Sequence, residues 1–133
     1  MTTAAKTIVA FGIYMSLNGT FLVVAPGLLL PLLGLSPNDA PLLRLLGMFT
    51  VIVSYYYYRT AMAESTAFFR ATVHGRMAMA LFMTALWLWY AAAPVLMVFA
   101  VIEITGAMAT ALALRSSSPA VERVSALARG AGR

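Results

Sequence analysis

The chain has 133 residues, of which 62% are hydrophobic and 10% charged, and its mean hydropathy is +0.90. So few charges cannot cover the surface of a soluble domain, where about a quarter of residues are charged, and the net charge of +5 is read as basic residues at a membrane face rather than as a nucleic-acid footprint. There is no cysteine and one histidine, His74, which excludes disulfides, thiolate metal sites and haem held by two histidines of one chain. No cofactor and no metal set is expected.

The residues divide into four apolar runs, which predict an all-α, polytopic membrane protein, a four-transmembrane-helix bundle. The first span covers about 7–25. Asn18 interrupts it and Pro26 follows Ala25, so it reads as a retained span rather than a signal peptide. Residues 27–35, GLLLPLLGL, lie between Pro26 and the Pro37/Pro41 pair. They are too short to span and too rich in Pro and Gly for a full helix, so an interfacial or re-entrant turn is expected.

Ser36-Pro37-Asn38-Asp39 has the character of a helix start. The second span, about 42–61, ends in Tyr55-Tyr56-Tyr57-Tyr58-Arg59, an interfacial aromatic belt followed by a cation. Thr66 is positioned to cap the third span, about 67–90, which closes on the matching belt Trp87-Leu88-Trp89-Tyr90. Ala91–Ala93 form a hairpin, and Pro94 opens the fourth span, 94–114. The remaining residues, 116–133, form a basic tail, read as either a surface helix or a disordered segment.

Orientation follows from the cations. With the N-terminus inside, Lys6, Arg59, Arg70, Arg76, Arg115, Arg123, Arg129 and Arg133 are cytoplasmic and only Arg44 is outside. That bias predicts both termini inside, N-in/C-in.

The fourth span carries one carboxylate, Glu103. A carboxylate at that depth is costly unless it is neutral or paired, which marks a candidate functional site. The face of Glu103 holds Leu96, Phe99, Ala100, Gly106, Ala107, Thr110 and Ala111. The opposite face holds Val98, Val101, Thr105, Met108 and Leu112. The small residues predict a tight helix–helix seam with Glu103 pointing into it.

Glu103 lies ~13 Å below the outer surface, Asn18 ~10 Å and Thr84 ~9 Å, at 1.5 Å per residue. Arg44 at the outer mouth is the preferred ionic partner and Arg76 the alternative. Glu103, Arg44, Asn18 and Thr84 thus form a candidate ligand or proton site, or else a structural polar clasp. At the other surface Arg59, Arg70, His74 and Arg76 form a candidate site for an anionic lipid or phosphate, or else plain positive-inside anchoring.

The proline-rich segment with Pro26 and Pro31, the run Leu43-Arg44-Leu45-Leu46-Gly47, the run Thr72-Val73-His74-Gly75-Arg76, and a late acidic residue followed by Gly106 resemble the small four-helix bacterial membrane proteins grouped as DoxX-like. The resemblance covers most of residues 7–115. It implies a four-helix fold in a bacterial inner (plasma) membrane, and little about activity. Three function classes follow: an accessory or oligomeric structural protein, whose partners are the bilayer and a homo-oligomer or larger membrane complex; a binder or carrier of a small lipophilic molecule or proton at Glu103; and an enzyme. The enzyme is the least favoured, since no nucleophile–base pair can be named.

Overall fold

The computed structural model describes residues 1–116; the expectations for the tail lie outside the described residues. All regular structure in this part is helical. The elements are α1 (Thr3–Val24), a short α2 (Pro26–Leu29), a 3₁₀ turn (Pro37–Asp39), α3 (Ala40–Met62), α4 (Thr66–Tyr90) and α5 (Val95–Ser116). Three helical segments, Thr3–Val24, Pro37–Met62 and Val95–Ser116, are long and apolar enough to cross a membrane. The helix α4 has the length, at 25 residues, but Arg70, His74 and Arg76 lower its hydropathy.

Local chemistry sets the helix ends. The Thr2 hydroxyl accepts from the Ala5 N–H and caps α1. Pro26 stops α1 and occupies the first turn of α2. The link to α3 turns at Gly34, whose φ of +69° suits a residue without Cβ. Ser36 and Asp39 then form a capping box. Ser65, not the expected Thr66, caps α4, with its hydroxyl facing the Phe68 N–H; Glu64 just before it takes a left-handed φ of +48°. Ala91, also left-handed, ends α4 and begins the turn into α5.

The helices pair as α1 with α3 and as α4 with α5, and α1 against α5 joins the pairs. The α1–α3 crossing is a backbone contact. A Cβ at Gly19 would lie 2.7 Å from the Gly47 carbonyl oxygen, and one at Gly47 would lie 2.6 Å from that of Gly19. Only glycine at both positions lets the helices come this close.

The core sits at the end where α1 and α4 begin. Ala4, Ala5 and Ile8 of α1 pack there with Tyr57 and Ala61 of α3, Phe69 of α4 and Ala113 of α5. The Tyr57 and Phe68 rings meet edge to face, with centroids 5.3 Å apart, and the Thr7 and Thr110 hydroxyls lie 3.1 Å apart between α1 and α5. Lipid-facing positions agree with the expected helix faces: on α5, Val98, Val101, Thr105, Met108 and Leu112 are exposed, while Ala100, Ala107 and Thr110 are buried.

Candidate functional site

Glu103 is paired with Arg76. The Arg76 Nε donates to Glu103 Oε2 at 3.1 Å, linking α4 to α5. The Arg76 side chain is 4% exposed, and its Cζ stands 3.4 Å from the centroid of the Phe11 ring on α1. A desolvated guanidinium over an aromatic face gains roughly 2 kcal/mol. The terminal nitrogens Nη1 and Nη2 are buried and have no hydrogen-bond partner, so the pair and the ring together carry the burial of this cation.

The preferred expectation, pairing with Arg44, is therefore corrected. Arg44 is exposed near the start of α3 and makes no ion pair among the described residues. Arg76 prevails because of Gly106, one turn beyond Glu103. A Cβ at Gly106 would overlap the guanidinium, so the glycine is a slot for the arginine and not only a point of helix–helix approach. By the same token Arg76 leaves the cytoplasmic cation group in which the sequence placed it.

The other expected members of the site separate. Asn18 does not bond to Glu103; its Nδ2 donates to the Tyr14 carbonyl at 3.0 Å. Asn18 and Glu103 nonetheless face one cavity of about 380 Å³. Thr84 is not on that cavity, and its hydroxyl donates to the Ala80 carbonyl within α4.

The cavity occupies the end of the bundle opposite the core. Tyr14, Asn18 and Leu22 of α1 form its back, Leu43 and Leu46 of α3 one flank, and Met79 and Met83 of α4 the other. Leu29 and Leu33 of the α2 region lie across it, and Leu96, Phe99 and Glu103 line it from α5. It lies where α3 and α4, which are not packed as a helix pair, leave a gap. Its wall is apolar apart from a few polar residues, chiefly Glu103, Asn18, Thr50 and Tyr14. The Thr50 hydroxyl is spent on the Leu46 carbonyl. Both the size and the lining are those of a small-molecule site.

Several of these residues were not singled out from the sequence. Tyr14, Asn18 and Leu22 do repeat at helical spacing with Phe11, and that period is the signal that places them on one face. Nothing in the sequence marked the leucines of the α2 region or the methionines of α4 as facing the same space.

The remaining cations behave differently from one another. Arg59 bonds to the Tyr55 hydroxyl at 3.2 Å and stays at the surface. Arg70 and His74 line a groove with Arg115. Glu64, in the turn between α3 and α4, accepts from the Thr2 N–H at 2.8 Å and lies 3.3 Å from the N-terminal ammonium. Chiefly that backbone hydrogen bond, and then the ammonium, hold its carboxyl below the ordinary value. No family model, curated protein or solved structure matches the chain.

Proposed function

We propose that this protein binds a small, neutral, lipophilic molecule in the cavity above the Arg76–Glu103 pair. The observation that carries the reading is an apolar space of about 380 Å³ with a carboxylate and an amide at its polar wall. Arg76 cancels the charge of Glu103, so a lipophilic cation gains little there. The Asn18 amide already spends a donor on the Tyr14 carbonyl, and the carboxylate and the amide oxygen are both acceptors. They suit the hydroxyl of an alcohol, phenol or hydroquinone, with the apolar part of the molecule against the leucines and methionines. The gap between α3 and α4 is the entry, and its occupant comes from the lipid phase.

This reading places the chain in a bacterial inner membrane with four spans, as the DoxX-like resemblance implies, and with both ends cytoplasmic, as the distribution of cations implies. The fourth span is α4. It packs along α5, and one of the two arginines that lower its hydropathy, Arg76, is turned inward onto Glu103 rather than offered to lipid.

The test is thermal stability of the purified protein with a series of amphiphiles of equal chain length. A long-chain alcohol or alkylphenol should raise the melting temperature, by about 2.7 kcal/mol of stabilisation at a hundredfold excess over Kd. The matching alkylammonium should do less. Leu96→Trp, which fills the cavity, should abolish the rise. No rise with any amphiphile, or an equal rise in the filled variant, overturns the reading. An empty cavity together with a stoichiometric co-purifying protein favours the accessory or oligomeric role instead.

A further inference from the structure

We infer that the groove between α4 and α5 at the Arg70 end holds the headgroup of an anionic phospholipid. Arg70 and His74 stand one turn apart on α4, and Arg115 reaches the same groove from the last turn of α5. The volume enclosed is about 390 Å³. Ordinary positive-inside anchoring asks only that cations lie near one surface. It does not require three nitrogen-bearing side chains from two helices to converge on one space.

Their charge is not answered by any described residue. Among the described residues no carboxylate lies within ion-pair distance of Arg70, His74 or Arg115. Glu64, the acidic side chain of the turn before α4, is engaged by the Thr2 N–H and the N-terminal ammonium, and Glu103 is taken by Arg76. The groove is therefore cationic, and a guanidinium pair matches a phosphate geometrically as well as in charge.

The rest of the lining identifies the source of that phosphate. Val73, Ala111 and Leu114 complete the groove, and Ala111 is followed on α5 by the lipid-exposed Leu112. A free phosphate makes no use of an apolar wall that runs on into a lipid-facing surface. A phospholipid does, with its phosphate on the cations and its acyl chains along α5. Juxtamembrane basic sites recognise anionic lipids on these terms. The inference is independent of the cavity and rests on the same placement in a membrane.

The experiment is native mass spectrometry of the full chain in detergent, titrated with phosphatidylglycerol or phosphatidylcholine. One phosphatidylglycerol should bind at least tenfold more tightly than phosphatidylcholine. Arg70→Ala with Arg115→Ala should reduce that preference to near unity, whereas Arg70→Lys with Arg115→Lys should keep part of it. Lys6→Ala with Arg44→Ala, which removes the same charge elsewhere, should leave it unchanged, as should the cavity-filling Leu96→Trp. Melting temperatures of the variants check that each is folded. Equal binding of the two lipids, or an equal loss in the Lys6/Arg44 variant, overturns the inference. So does displacement of the lipid by millimolar inorganic phosphate, which would make the free anion the occupant.

Discussion

The two ends of the bundle are built on opposite terms. At the end where α1 begins, four helices close on alanines, Ile8 and Phe69, with Ile8 and Phe69 wholly buried. At the other end the same helices diverge around a cavity walled by leucines and methionines. The closed end interleaves alanines with large buried side chains that fill the space between the helices; the open end has long flexible side chains, which line a gap and can repack around it. The Arg76–Glu103 pair lies at the boundary, so the carboxylate of the one buried ion pair among the described residues also lines the cavity. The difference teaches that the filled core and the cavity are separated along the bundle axis, while the Gly19–Gly47 contact keeps α1 and α3 packed beside the cavity.

The largest expected effect probes that contrast directly. Phe69→Ala removes a fully buried ring from the closed end and should cost about 3–5 kcal/mol. Leu96 at the open end is only partly buried, beside a cavity, and Leu96→Ala should cost about 1 kcal/mol. Denaturation of the two variants in one detergent makes the comparison. Equal costs would show that the open end is as tightly packed as the closed one.

A smaller effect sharpens the role of the glycines. Gly19→Val puts a side chain against the Gly47 carbonyl and should destabilise by about 1–3 kcal/mol through overpacking. The loss should not depend on Arg76. Gly106→Ala displaces the Arg76 guanidinium, so its cost should fall sharply in an Arg76→Leu, Glu103→Leu background. Non-additivity at Gly106 and additivity at Gly19 is the expected pair of results from a double-mutant cycle. Additivity at both would mean that Gly106 serves helix approach alone.

The smallest effect belongs to Glu64 at the closed end. A carboxyl held below its ordinary value stabilises the fold at pH values above that ordinary value. The contribution is lost as pH falls through the depressed folded value. Wild type should melt slightly above Glu64→Gln at pH 7, and the difference should vanish in acid. A difference that persists or grows as the pH is lowered would contradict the geometry at Thr2.

Composition and period alone determined that the chain is helical and built for a membrane, because a bilayer demands long apolar runs with every backbone group satisfied inside the helix. They also placed Glu103 on the inward face of α5, since small and bulky residues alternate there at the helical repeat. The helix start at Ser36 and Asp39 was legible because its cap is encoded locally, whereas at α4 the adjacent Ser65 and not the expected Thr66 takes that role. The partner of Glu103 was not. Depth along a helix favoured Arg44 over Arg76, and the outcome rested on which face of α4 meets α5 and on the slot left by Gly106. The sequence of Gly106 is the same whether it admits a neighbouring backbone or a guanidinium. The cavity was likewise invisible, because it is the space between α3 and α4, and a gap between helices is a property of how they cross, not of any residue in either one.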